Sequence, residues 1–485
     1  MDNTIYDLLG VRDRLIMDPV HGGISLFKQE VAVLDHPLFQ RLRYICQNDI
    51  LSYVFPGATH SRFLHSIGTM HVGHRMYRGL IESCLRRFRK EEGSLTNAQL
   101  ASINYFNKLI RLACLLHDCG HSSFSHQFSQ VPTIRQLMDK PGRFKELWSG
   151  IDPRPLYSEI PTELEHEHFS VRCAHEILGP DLTKTADIEA RDVLALMETT
   201  SVVLSERFTE HTIQLWELIT GSSSVPDNAP FHLRNVLSLI VSGEIDADRA
   251  DYMLRDGFHS SVTIGGFNLD HLLKNLHIGW DPEADWMGLA ITSKGLGSLE
   301  DFVYSRHQMY RKVYGHKTSI GFDWILRQAI EEVLTQPEVY EYIDLCLSDI
   351  NAFRYLTDNY FWEQFRVRAQ RDPDSFSAMM MDRRRLEHLH SMENVDSEKL
   401  AEKISKVADF NNIYPDDIVC CTLRARFSKI RKDFDKIKVL NKRPLSEQSP
   451  QIYYSLISDE SGFFQKFSDA NIVHFYRSPQ AKHLN

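Results

Sequence analysis

Apolar residues recur along this chain mostly at the three-to-four-residue spacing of helices, and two-residue alternation is rare. Residues 107–116 (NKLIRLACLL) are apolar on nearly every side, which predicts a helix buried all round. Residues 165–178 (EHEHFSVRCAHEIL) predict a helix stopped by Gly179-Pro180. Residues 298–318 predict another long helix. Short runs at 15–17, 53–55, 418–423 and 472–475 read as strands, and 222–230 (SSSVPDNAP) as a loop rich in breakers. Neither an internal repeat nor a low-complexity tract interrupts the pattern. The expectation is a mainly α protein with a smaller α+β region near its C-terminal end. A helical unit spans 1–330, a helical extension 331–410 and a mixed unit 411–485.

Length and composition refine this only slightly. The 485 residues suffice for two or three packed units, and 42% hydrophobic with 25% charged residues is ordinary for a globular protein. A net charge of −10 excludes a general nucleic-acid coat, so any basic site must be local. One such segment runs from Arg424 to Arg443, with a local charge of +7. It reads equally as a solvated face or as a phosphate-binding surface between subunits. Single-stranded nucleic acid is less favoured, because only Phe427 and Phe434 interleave the charges. The eight cysteines form no CxxC pair, which excludes a zinc ribbon or a thioredoxin-like motif. Read as reduced and mostly buried, they predict a cytoplasmic protein. The N-terminus, MDNTIYDLLG, is acidic and lacks an apolar signal core. No run approaches the roughly 18 apolar residues of a membrane span.

The chemistry concentrates in residues 115–126, LLHDCGHSSFSH, where three histidines and an aspartate follow an apolar run. A divalent metal takes neutral imidazole and ionised carboxylate ligands, and His117-Asp118 offers one of each. Adjacent side chains on a helix point about 100° apart. Both reach one ion if the helix ends there, and Gly120 is placed to end it. Two further ligands must come from elsewhere, and His65 (SRFLHS) and Asp248 (EIDADRADY) are the candidates. A lone histidine beside an apolar run is more often a hydrogen-bonded core residue. An adjacent carboxylate shifts the balance toward an ion, because an unpaired buried carboxylate is costly.

The order His65, His117-Asp118, Asp248 is similar to the H…HD…D pattern of HD-domain phosphohydrolases. Longer stretches agree in the same order: DPVHGGI (18–24), FQRLRYICQ (39–47), VFPGATHSRFLHSIG (54–68), LLHDCGHSSFSH (115–126), HEHFS (166–170), IDADRADYMLRD (245–256) and YRKVYGHK (310–317). Over roughly residues 14–320 the chain resembles the deoxynucleoside triphosphate triphosphohydrolases, which include bacterial dGTPases. It looks nearest the branch in which a SAM domain precedes the HD domain, without that SAM domain. The resemblance implies an HD-domain helical core and hydrolysis of a dNTP to deoxynucleoside and inorganic triphosphate. His65, His117, Asp118 and Asp248 would hold a divalent ion (Fe, Mn, Zn, Ni or Mg), and a second Mg²⁺ would accompany the triphosphate.

By the same resemblance, His126 is the general acid for the departing 5′ oxygen, while His121 and His166 face the α-phosphate and Glu167 orients one of them. Ser129 stands where the related enzymes carry an acid that supports this histidine. Arg62, Arg249 and Arg306 match phosphate-binding positions, suited by the planar guanidinium fork. Phe302, Arg306, Tyr310 and Tyr314 lie on one helix face, continued by Lys317, as a nucleotide wall requires. Tyr314 would pack under the sugar, and Gln47, Tyr252 and Asp256 would contact sugar and phosphate. Asn48 replaces a bulky apolar residue there, which weakens exclusion of a 2′-hydroxyl. Asp35 and Arg43 match an activator site, where Met17 replaces a polar residue. A nucleotide activator and a homo-oligomer (dimer or tetramer) are implied, and in bacterial members a role in phage defence.

Two rival functions remain at this stage. Another HD phosphohydrolase, a nucleotidase or cyclic-dinucleotide phosphodiesterase, would not call for the set Arg62, Arg249, Arg306 and Tyr314. A nucleotide-sensing module with little turnover would predict a degraded ligand set, whereas all four ligands are present.

Overall fold

The computed structural model describes residues 12–481 except 89–94, 155, 158, 162, 163, 165, 199–202, 265, 426–436, 444–450 and 467–469. Helices dominate, as expected. The long helix Arg62–Arg87 buries Phe63, Ile67, Met70, Tyr77 and Ile81 at the predicted spacing. It packs on Asn97–Leu116, whose first turn is closed reciprocally: Thr96 Oγ1 accepts from Gln99 N, and Thr96 N donates to Gln99 Oε1, each at 3.1 Å. Residues 109–116 of that helix are fully enclosed apart from backbone ends, in line with its all-round apolar pattern. The helix Ala247–Ser260 crosses the same bundle and brings a third chemical face to it.

Strands form three small sheets. β1 (Arg12–Asp18) and β2 (Gly22–Phe27) form an antiparallel hairpin. β3 (Leu276–Asp281) and β4 (Trp286–Thr292) pair antiparallel, and β5 (Glu387–Glu393) lies later in the chain. They are followed by β6 (Ile418–Ala425), β7 (Lys438–Arg443), β8 (Gln451–Leu456) and β9 (Ala470–Arg477). One sheet has the order β3-β4-β7-β8, with β4 and β7 parallel, and a second has the order β5-β9-β6. The first sheet ties the chain beyond residue 437 into the helical unit that holds β3 and β4.

Two local expectations are corrected. Residues 53–55 are not a strand: Tyr53 ends a 3₁₀ turn, Leu51–Tyr53, and 54–55 continue in turn and bend, because Leu51 packs inward while the carbonyls of Asn48, Ile50 and Leu51 are bonded within the loop. Residues 298–318 are not one helix: Leu296–Met309 runs into a π-helical turn, Tyr310–Tyr314, and a new helix begins at Lys317. The break is closed by Gly315 N donating to Tyr310 O at 2.8 Å, and π turns of this kind re-aim side chains. Strands β2, β3, β4, β5, β7 and β8 were not anticipated. The basic segment 424–443 lies largely outside the described residues. Among the described residues, no helix is long and apolar enough to cross a membrane, and all eight cysteines are free thiols.

Candidate active site

Three helix ends deliver the four expected ligands to one place. His65 lies in the first turn of Arg62–Arg87, His117-Asp118 directly follows Asn97–Leu116, and Asp248 lies in the first turn of Ala247–Ser260. The last helix starts there because Asp246 caps it: Oδ1 accepts from Arg249 N and Oδ2 from Gly243 N, both at 2.7 Å. Gly120 serves a different purpose from the expected helix stop. A Cβ at this position would overlap the Phe169–Ser170 backbone, so the glycine lets the helix His166–Ile177 approach the HD turn.

His65, His117 and Asp118 form a group that can hold a metal ion, their ligand atoms all within 4.8 Å of one another. Asp248 Oδ1 lies 2.9 Å from His65 Nε2 and 3.7 Å from His117 Nε2. Both histidines already use their other nitrogen. His65 Nδ1 bonds Asp251 Oδ2 and His117 Nδ1 bonds Cys114 O, each at 2.8 Å. The hydrogen therefore sits on Nδ1, and each Nε2 lone pair points into the cluster, buried and without a hydrogen-bond partner. Lone pairs facing carboxylate oxygens repel unless a cation lies between them, either a proton or a metal. The electrostatics express the same demand. Burial lowers the His65 pKa, but Asp248 and Asp251 outweigh it and push it up to about 10. Burial would raise the Asp118 carboxyl, yet His117, Arg62 and His121 hold it well below the usual carboxylate range. Two imidazoles with two ionised carboxylates suit a divalent ion of the Fe, Mn or Zn kind, so the residues present fit a metal.

A second layer holds the first. Asp251 accepts from His65 and also from His21 Nε2 at 2.6 Å and from Arg255 Nε and Nη2 at 2.8 and 2.9 Å. Arg255 Nη1 reaches Asp18 Oδ2 at 2.8 Å, and Asp18 Oδ1 accepts from the amides of Val20 and His21. Asp251 and Arg255 are wholly buried, so their charges are stable only as this hydrogen-bonded set. Gly68 is required beside it, since a Cβ there would overlap Asp251 Oδ1 and Arg255 Nη2. Sequence reasoning matched DPVHGGI and IDADRADYMLRD as strings but assigned no role to Asp18, His21, Asp251 or Arg255. The available signal was the i, i+3, i+7 spacing of Asp248, Asp251 and Arg255 on one helix.

A cavity of about 670 Å³ opens beside the cluster. His117, Asp118, His121, His126, Glu167 and Asp248 line it, together with Gln47, Tyr252, Asp256, Tyr310 and Tyr314. Arg62 stands at the wall, with Nη1 on Asp118 Oδ2 and Nε donating to Ser125 Oγ at 2.8 Å. Asp256 is held from two sides, by His60 Nε2 at 2.8 Å and by Tyr314 OH at 2.5 Å. Burial and then Arg62 lower the His121 pKa well below its ordinary value, so its imidazole is neutral at pH 7. His126 follows two residues in left-handed backbone, Phe124 (φ 50°) and Ser125 (φ 46°). Such conformations cost of order 1–3 kcal/mol each. They are held by Phe124 N donating to Asp358 Oδ1 at 2.8 Å and by the Arg62–Ser125 bond. Ser129 Oγ donates to the His126 carbonyl, not to its ring. Ser319, Asp323 and Trp324 and residues 420–423 of β6 also line the cavity.

Other expected residues lie differently. Arg249 and Arg306 are not among those lining the cavity; they meet beside it at Glu244. His166 begins its helix, but its side chain lies outside the described residues. Asp35 and Arg43 are surface residues apart from the cavity. Arg14 Nη1 is 3.4 Å from Asp35 Oδ1, and the Arg43 guanidinium lies over the Phe63 ring. Met17 is 72% exposed.

No family model matches the chain. It is 28% identical over 397 residues to the deoxynucleoside triphosphate triphosphohydrolase SAMHD1 of Bos taurus, covering 78% of this chain and 57% of that protein. The Homo sapiens SAMHD1 is 28% identical over 363 residues, covering 72% and 50% respectively. An uncharacterised protein of Methanocaldococcus jannaschii is 24% identical over 354 residues, covering 72% and 57%. The chain thus spans only about half the length of the curated relatives it matches. Two crystal structures share the fold over 96% of the chain. One is a hypothetical protein from Aquifex aeolicus (TM-score 0.61, 22% identity, 97% of that chain covered). The other is a phosphohydrolase from Bacteroides thetaiotaomicron (TM-score 0.59, 20% identity, 99% covered).

Proposed function

From the premise that its homologues include HD-domain dNTP triphosphohydrolases, we propose that this chain hydrolyses a dNTP to deoxynucleoside and inorganic triphosphate with a divalent ion held by His65, His117, Asp118 and Asp248. The observation that carries the proposal is the pair of buried, unpartnered Nε2 atoms of His65 and His117, aimed at two carboxylates. A divalent ion there supplies a Lewis acid for a phosphoryl oxygen and lowers the pKa of water. The protein groups do the rest. Arg62 and neutral His121 sit beside Asp118, placed to bond the α-phosphate. Water's oxygen joins the α-phosphorus, the bond to the 5′ oxygen breaks, and His126, whose ring centroid is 5.2 Å from that of His121, returns a proton to the departing oxygen. Glu167 lines the same cavity, and in this reading it orients one of the site's histidines. The Asp256–Tyr314 pair fits a 3′-hydroxyl and a stacked deoxyribose, with Tyr252, Tyr310 and Gln47 completing the wall.

Regulation is a further part of the proposal: a nucleotide activator at Asp35 and Arg43, and a homo-oligomer. The test is product analysis. Metal-loaded protein is incubated with each dNTP and NTP, singly and mixed, with His117→Ala as control. Deoxynucleoside plus inorganic triphosphate is expected, and turnover only in mixtures would support an activator. Release of pyrophosphate or single phosphates would replace the proposal by another HD phosphohydrolase. Absence of any product would leave the sensing module.

A further inference from the structure

The clamp expected to hold phosphates carries an anion of its own. Glu244 Oε2 lies 3.5 Å from Arg249 Nη1 and 3.7 Å from Arg306 Nη1, with the glutamate and Arg306 side chains each 10% exposed. That oxygen is buried and makes no hydrogen bond. It is therefore shared between two guanidinium groups at a distance slightly too long to bond either. The loop bearing it is fixed: Gly243 N donates to Asp246 Oδ2 at 2.7 Å, and a Cβ on Gly243 would lie 2.6 Å from Leu239 O. Glu244 is thus held against the arginines instead of drifting there from solvent. Two further features fit. Tyr252 and Tyr310 line the cavity while Arg249 and Arg306 do not, and the Arg306 guanidinium lies 5.6 Å over the Tyr310 ring. Burial would also lower the Arg306 pKa, and Tyr252, Tyr310 and Glu244 together outweigh it.

We propose that Glu244 is a positioning residue, the internal counter-anion of the triphosphate site, which keeps Arg249 and Arg306 side by side until a polyphosphate displaces it and thereby limits how tightly triphosphate is held. The proposal rests on the dNTP hydrolysis proposed above. Arg249 also has Asp246 Oδ2 at 3.6 Å, whereas Glu244 is the carboxylate that faces both guanidinium groups; without it the two neighbouring cations would repel each other when the site is empty and would grip the highly charged product too long when it is full. A carboxylate on the arginines offsets both, because it competes for the donors that a phosphate oxygen needs.

The experiment is calorimetric titration of inorganic tripolyphosphate with Mg²⁺ into metal-loaded protein, comparing wild type, Glu244→Gln and Glu244→Asp. Removing one negative charge within a few ångströms of a polyanion is expected to tighten binding by on the order of tenfold and to steepen its salt dependence. Glu244→Asp should stay near wild type. In turnover, Glu244→Gln should lower KM and strengthen inhibition by triphosphate without raising kcat. Equal or weaker tripolyphosphate binding by Glu244→Gln, with metal content and thermal stability intact, would overturn the proposal. If the Gln variant does not fold, Glu244→Ala is read in the same way. Titration needs no turnover, so a protein that binds as expected but hydrolyses no dNTP would refute the proposed reaction and leave the counter-anion standing.

Discussion

Asp251→Asn is expected to release the metal without touching a ligand. The carboxylate serves four donors, one from His65, one from His21 and two from Arg255, all within 2.6–2.9 Å. An amide has a single acceptor oxygen. Whichever way it turns, its NH₂ confronts an Arg255 N–H together with either His65 Nδ1–H or His21 Nε2. In the first case the imidazole loses the bond that holds its Nε2 toward Asp118 and Asp248. Loss of such an orienting partner typically costs about 10–100-fold in metal affinity, or roughly 1.4–2.7 kcal/mol. A second cost falls on the fold. Arg255 is fully buried and keeps only Asp18 as a counterion. Breaking a buried pair costs about 3–5 kcal/mol, and the surviving Asp18 bond places the expected loss near the lower figure. Metal content after dialysis against graded chelator measures the first effect, and urea unfolding of metal-free protein measures the second. A variant that keeps metal affinity within twofold of wild type would show that Asp251 does not orient His65, and the reasoning from the second layer would be wrong.

Asp118→Ala should lose both metal and turnover, and dNTP hydrolysis by the metal-depleted variant would refute the metal mechanism. Tyr314→Phe removes the hydroxyl bonded to Asp256; kcat/KM is expected to fall on the order of tenfold, about 1.4 kcal/mol, and an unchanged value would detach this pair from the sugar. Asp323 in the cavity lining has its pKa pushed up to about 7 by burial, partly countered by Arg327. Its folded-state pKa exceeds the unfolded value of 3.8, so its contribution is fully present below pH 3.8 and is lost as pH rises through about 7. Asp323→Asn should therefore gain stability relative to wild type from pH 4 to pH 8 in thermal unfolding, and a difference independent of pH would contradict the buried acid.

Much of the site was legible before the fold. His65, His117, Asp118 and Asp248 are identifiable because metal chemistry restricts residue type severely and their order along the chain is distinctive. The buried helix 107–116 is identifiable because its apolar pattern leaves no polar face. The outer layer was not legible. Asp18 and His21 lie in a hairpin turn, and nothing local says that they reach Arg255 and Asp251, which are 237 and 230 residues away in sequence. Residues 298–318 misled for a related reason. The i, i+4 spacing of Phe302, Arg306, Tyr310 and Tyr314 is a property of the sequence that carries no mark of the π turn, which changes the hydrogen bonding and the facing of the residues that follow, so periodicity alone reads straight through it. Strands β7 and β8 were missed because short, polar-rich strands are stabilised by the sheet they join, here through the β4–β7 pairing.

The sequence by itself determined the chemical inventory: helices enough for a buried bundle, two imidazoles and two carboxylates in ligating order, and arginines and tyrosines suited to a nucleotide. Only the tertiary structure decided what each group does. It set which nitrogen of His65 carries the hydrogen, placed Gly120 against another helix instead of at a helix stop, and turned Arg249 and Arg306 onto Glu244. Those outcomes depend on the direction of side chains and on desolvation at helix ends brought together from distant parts of the chain. Local spacing encodes neither.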